Sequence, residues 1–392
     1  MVSASSRFPA PLGPLQASGY TARMADQLSI YSTITDLLPG DVLAQLAEGA
    51  ACSSRKDADG QWYDLTYQSL RVSIYHFHAG EADFAEHVRG FLGHVLHLAE
   101  GNMDSALWEI YYKVSKVRQG FGLTIEPAWD DQIAPRLVAA LAEAVCGFIF
   151  FSISDRLTDP WGTLLLGPGN ERGSGVKYVF DTAKERRDRS NGRLATLGLT
   201  TPDWLPTTVA DEEALLMPPA DVARRAIVLM AVAMRADGFA QPKVVKFLQQ
   251  RDVIQAVSPE EHTFLNAAQP DEAQKRHLTW RFESLWTLLW ALGHLESLGP
   301  TGSQCDAKRS IKLVNETPAA KFVGQATLRP VAEILDELDF YYRAHWHVRR
   351  VELGERPPVE DLDPDVVSER HYALNWLTNY RYQEWDDVTT DT

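Results

Sequence analysis

The apolar residues of this chain change period part-way along, and that change limits the fold more than any other feature. Residues 62–67 (WYDLTY) and 70–78 (LRVSIYHFH) are rich in aromatic and β-branched side chains and read as strands. Strands are also predicted at 28–34, 121–126 and 147–153, with 163–166 as a hairpin partner after the turn Asp159-Pro160-Trp161-Gly162. Helices are predicted between them at 37–47, with Pro39 in the first turn, and at 81–98, about 104–112 and about 131–145. Beyond residue 220 the period is 3.6 throughout. It predicts helices at 221–236, 243–250, 259–267, 274–297, 328–350 and 364–380. Ser258-Pro259-Glu260-Glu261 has the form of a capping box with proline at N1, and Asp363-Pro364 is a second N-cap.

The expected fold class is therefore α+β. A mixed N-terminal half in the order β-α-β-β-α-β, extended by α-β-β, matches the ferredoxin-like split βαβ arrangement. An all-helical C-terminal half follows. The expected division is a flexible leader at 1–24, an α+β domain at 25–170, a connection at 171–219 and a helical domain at 220–392. The connection is rich in Gly, Pro, Thr and charge. Its basic stretch 184–193 (KERRDRSNGR) reads as a solvated linker first and an anion patch second.

Charge narrows the partners. A formal net charge of −15 repels phosphate backbones and argues against nucleic acid. The three cysteines, Cys52, Cys146 and Cys305, are far apart and form no CxxC, which favours a reducing compartment. The first residues hold no apolar signal region, and the longest apolar run, 137–153, contains Glu143 and Gly147. The expectation is a cytoplasmic protein with neither membrane partner nor cofactor.

No GxxxxGK[ST], HExxH, GxSxG or paired CxxC occurs, and GPGNERGSG at 167–175 misses GxGxxG by one residue. His76 and His78 share a face of one strand, and His94 and His97 are neighbours on the next helix. Four imidazoles of this kind could hold zinc if that helix covered that face. No acid or cysteine stands at ligand spacing, so the expected outcome is no metal.

Charges on apolar helix faces give the sharper signal. Arg281 falls on the stripe of Leu285, Leu288 and Leu292. Arg370 falls between Leu374 and Leu377, and Glu369 beside Ala373, Trp376 and Tyr380, whereas neighbouring His371 reads as exposed. An unpaired buried charge is very costly, so pairs such as Glu369 with Arg281 and Arg370 with Glu283 are expected. The alternative is a ligand cleft in which Arg281, Glu283, Arg343, Glu369 and Arg370 serve a small anionic ligand or protein segment. On 328–350, Asp336, Asp339, Arg343, His347 and Arg350 share one face. That face reads first as solvated. Its other reading is acid/base chemistry by Asp336, Asp339 and His347 in a hydrolase.

Several long segments then carry a resemblance: TWRFESLWTLLWALGHLESLG (279–299), QCD (304–306), EILDELDFYYRAHWHVRR (333–350) and ERHYALNWLTNY with EWDDVTTDT (369–392). Together they resemble an uncharacterised bacterial family, domain-of-unknown-function family 4272, from about Ala220 onward. LSIYSTITD and GFIFFSISDRLTDPWGTLLL look like the start of full-length members, which makes Met24 an alternative start. The resemblance carries no activity and no catalytic residue set. The polar tail 385–392 reads as either docked or an interaction tag. The leading expectation is a non-catalytic binding or interaction protein with a cleft in the helical half. The rivals are the hydrolase and an immunity-type or regulatory partner protein.

Overall fold

The computed structural model describes residues 28–34, 51–57, 60–79, 81, 83–126, 133–173 and 180–392. The helix expected at 37–47 and the leader lie outside the described residues. The chain divides into two compact units, residues 1–177 and 178–392.

The first unit is a nine-stranded antiparallel sheet with helices, so the α+β class holds. Its strands are β1 (Leu28–Ser32), β2 (Ala51–Asp57), β3 (Gly60–Tyr67), β4 (Leu70–His78), β5 (Gln119–Glu126), β6 (Gly147–Phe151), β7 (Arg156–Thr158), β8 (Leu164–Gly167) and β9 (Glu171–Arg172). Their order is β2-β3-β4-β5-β1-β6-β7-β8-β9. The ferredoxin-like pairing is corrected by this order. That pairing sets 70–78 directly beside 28–34, whereas β5 lies between them, antiparallel to both. After β4 the chain crosses two helices, α1 (Phe84–Leu98) and α2 (Ser105–Ser115), and returns to extend the meander by one more antiparallel strand. Strand β2 escaped the sequence pattern because ACSSRKD has no aromatic or β-branched residue.

The two sheet faces are covered differently. Leu28, Ile30, Val72, Ile74, Leu123 and Ile149 point to the face buried by α3 (Ala134–Ala144), through Leu137, Val138 and Leu141. The alternate residues Tyr31, Phe77, Phe148 and Phe150 meet α1 through Phe84, His87 and Phe91. Phe77 lies across Gly120 on the neighbouring strand, where an added Cβ would sit only 2.1 Å from the ring.

The second unit is helical: α4 (Asp181–Thr196), α5 (Pro219–Ala236), α6 (Gln241–Gln250), α7 (Pro259–Asn266), α8 (Glu272–Thr279), α9 (Arg281–Ala291), α10 (Ala307–Glu316), α11 (Ala319–Gly324), α12 (Val331–Glu352) and α13 (Pro364–Leu377). Helix α5 is buried on nearly every side and forms the centre of the core. Both expected caps are present: Ser258 and Glu261 form the reciprocal box, and Asp363 accepts from the backbone of Asp365 and Val366. The single helix expected at 274–297 is two, broken at Trp280 and stopped by Gly293. There Gly293 donates to Trp290 and His294 to Leu289, a Schellman arrangement that needs the left-handed residue.

The basic stretch read as a solvated linker is helix α4, and Arg186 within it is buried. Composition suggested a connection because α4 has few apolar residues. It is held instead by charge, with Arg189 Nη2 2.6 Å from Asp336 and Arg193 2.9 Å from Glu337, both on α12.

Candidate functional site

The histidines of the first unit do not converge. His76 and His78 lie on the sheet face buried by α3, where His76 stacks on Phe121 and bonds Gln119 at 3.1 Å. Helix α1, with His94 and His97, covers the opposite face, so the strand pair and the helix pair are separated by the sheet. His94 contacts Asp155 at 3.2 Å and His78 contacts Glu81 at 3.7 Å. Among the described residues no group of three or more His, Cys, Asp or Glu is arranged to hold a metal.

In the helical unit the charges on apolar faces form pairs. Arg281 Nη1 lies 3.1 Å from Glu369, whose carboxylate also accepts from the Ser284 hydroxyl at 2.7 Å. Arg370 Nε lies 2.9 Å from Glu283. Its Nη1 donates to the Tyr341 hydroxyl at 2.7 Å and the Pro300 carbonyl at 3.2 Å. Burial pushes the Tyr341 hydroxyl up to about 12. Glu283 also accepts from the backbone N–H of Cys305 at 2.5 Å. Each of these charges is paired inside the fold, as burial of charge requires, although the buried Nε of Arg281 has no hydrogen-bond partner.

The face of α12 read as solvated is covered. Asp339 and Arg343 are both 0 % exposed, bonded at 2.7 Å. Thr208 donates to Asp339 at 2.9 Å and Arg343 to the Pro206 carbonyl at 3.1 Å. The chain around 200–211 supplies this cover, and no periodicity within α12 reveals it. Asp336 is taken by Arg186 and Arg189. His347 is buried, and burial first, then Arg356, lowers its pKa. The proposed acid/base set therefore consists of two carboxylates tied to arginines and an imidazole inside the fold.

His371 is likewise buried rather than exposed. Its Nδ1 lies 2.9 Å from Nδ1 of His345, and His345 Nε2 lies 3.2 Å from the Ser368 hydroxyl. That hydroxyl donates to the Pro364 carbonyl at 2.7 Å, so it is held as a helix back-bond.

One cleft of about 660 Å³ opens in the helical unit. It is lined by Asp221, Arg224 and Arg225 of α5, by the loop and first turn from Gln255 to Glu260, by Trp376, and by the tail residues Glu384 to Asp387. Arg225 is buried, bonded to Glu261 at 2.6 Å and to the Ala256 carbonyl at 2.5 Å. The tail is docked. Trp385 is buried, with the guanidiniums of Arg225 and Arg281 5.0 and 5.3 Å from its ring and with Tyr372 and Trp376 edge-on. The Tyr372 hydroxyl donates to the Trp385 carbonyl. Asp386 accepts from the backbone N–H of Glu260, in the first turn of α7, at 2.9 Å. Sequence reasoning missed Arg225 and this groove. A tryptophan set among acids in the tail was the available signal.

A family model described as a domain of unknown function, DUF4272, matches residues 186–388, more than half of the chain. The chain belongs to this family. The DUF4272 match begins inside α4, not at Ala220, and so includes both the helix that caps α12 and the docked tail. No curated protein and no solved structure matches the chain. No helix among the described residues is long and apolar enough to cross a membrane.

Proposed function

We propose that the DUF4272 unit is a non-catalytic binding module whose groove takes a segment of a protein partner. The observation that carries this reading is the cleft at the N-terminal ends of α5 and α7. Its volume of about 660 Å³ falls in the range of ligand sites, and it combines arginines, helix-end amides and tryptophan. The hydrolase reading has less support, because Asp336 and Asp339 are engaged by arginines and His347 is buried away from the cleft lining. The anionic-ligand set of Arg281, Glu283, Arg343, Glu369 and Arg370 is likewise engaged in ion pairs. Of the cleft arginines, Arg224 is half-exposed and paired only within its own helix turn, to Asp221 at 2.6 Å.

The test is an array of random decapeptides probed with the full-length protein, each hit measured again by fluorescence anisotropy. The expected result is at least one sequence class that binds the parent and weakens tenfold or more on Arg224→Glu. An array without hits, or hits indifferent to Arg224→Glu, would overturn the reading.

A further inference from the structure

We propose that the groove recognises acidic–aromatic peptide segments, and that the chain's own C-terminal segment is its built-in competitor. This rests on the binding-module reading and names the ligand and the regulation of that same groove.

The argument starts from what occupies one wall of the cleft. Glu384-Trp385-Asp386-Asp387 is an aromatic residue set among acids, and its two inner residues, Trp385 and Asp386, each meet a complementary group. The indole lies against two buried guanidiniums, an arrangement in which an aromatic face is attracted to cations. The Asp386 carboxylate sits on a backbone N–H at the start of α7, where the helix end favours an anion. Farther along, Asn375 holds the Thr389 carbonyl at 2.8 Å, and Arg381 holds Asp391 at 2.8 Å. These contacts read side chain and backbone together, as a peptide site does.

Two features make this segment displaceable. The link from α13 to the tail runs through Asn379, Arg381 and Tyr382, all with φ near +50°. Non-glycine residues in that region are strained, and release of the tail relieves them. The buried Trp385 indole N–H has no hydrogen-bond partner, nor has the buried Oε1 of Glu261. A docked state with unsatisfied buried groups is less favourable than the same site fully paired. A tethered segment nonetheless competes at high effective concentration, so an outside peptide sees a weakened site until the tail lets go.

The experiment titrates a labelled synthetic peptide of residues 383–392 into full-length parent, Trp385→Ala and Asp386→Lys proteins. Both variants weaken the cis tail. The expected result is saturable binding to each variant at least tenfold tighter than to the parent, with no binding of a control peptide carrying alanine for tryptophan. Hydrogen exchange of 383–392 in the parent should speed up when the peptide is added in excess. Asp386→Lys keeps the buried anchor, so it reports even if Trp385→Ala fails to fold. If the variants bind the peptide no better than the parent, or bind the control equally, the proposal falls. If arrayed peptides of another composition still bind in an Arg224-dependent way, the binding-module reading survives that failure. If no peptide of any class binds, both fall.

Discussion

Glu283 on α9 and Arg370 on α13 hold each other at 2.9 Å with side chains only 2 % and 1 % exposed. Truncating one member leaves the other buried and uncompensated, which costs about 3–5 kcal/mol. For a unit of this size each kcal/mol lowers the melting temperature by about 2–4 °C. Arg370→Ala should therefore melt about 6–20 °C below the parent in differential scanning calorimetry. A variant that melts with the parent would show that the pair is not what anchors α13.

Asp339 and Arg343 permit a sharper comparison, because both are fully buried on one helix. Asp339→Ala strands a guanidinium and removes the acceptor of Thr208. The double variant Asp339→Leu/Arg343→Met removes both charges, and buried pairs are often replaced by apolar residues at little cost. The double variant should unfold at higher urea than Asp339→Ala alone. The opposite order would mean that the pair itself, and not its imbalance, sets stability here.

These pairs also mark what the sequence could and could not disclose. Arg281 and Arg370 stand on stripes of leucine and Glu369 on one of alanine and aromatics, so burial and the need for partners follow from spacing within one helix. Asp339 and Arg343 stand on a stripe with no leucine, and that stripe reads as solvated. Its cover comes from Pro206 and Thr208, more than 130 residues away in sequence. His371 fails for a related reason: α13 is buried on several sides, so a polar neighbourhood along the chain does not imply water. Strand order fails likewise, since β5 inserts between β4 and β1 through pairings that no local pattern encodes. The helix stop at Gly293 is missed as well: the apolar period of 274–297 runs straight through it, and the left-handed conformation that ends α9 there shows only in the backbone.

The capping box at Ser258 gives a small, clean effect. Its hydroxyl accepts from the Glu261 N–H at 3.3 Å and Glu261 accepts from the Ser258 N–H at 2.9 Å. Ser258→Ala should cost about 1 kcal/mol by chemical denaturation. Because Glu261 also holds Arg225, Glu261→Ala should cost several times more. Equal losses would separate the cap from the ion pair.

The imidazole pair of His345 and His371 makes stability depend on pH in a set direction. With Nδ1 atoms 2.9 Å apart, one ring donates and the other must offer a lone pair, so the bond needs at least one neutral ring and two charged rings cannot make it. Burial lowers His345 to about 4, with Arg349 adding repulsion. Burial also lowers His371 well below the ordinary value, with His345 adding to it. In the unfolded chain both titrate near the ordinary value of about 6.5. Above that pH neither state binds the proton and the full stability is present. As pH falls from about 6.5 towards about 4, the unfolded chain takes up protons that the folded one refuses, and stability is lost. Each such group contributes at most about 1.4 kcal/mol per pH unit within that window. His294 and His347 in the same unit are shifted the same way by burial, so they add to the slope. The parent's melting temperature should therefore drop between pH 7 and pH 5. His345→Gln/His371→Gln should start lower at pH 7, having lost a packed pair, and should then fall less steeply. Parallel curves for the two proteins would show that this pair does not titrate on unfolding.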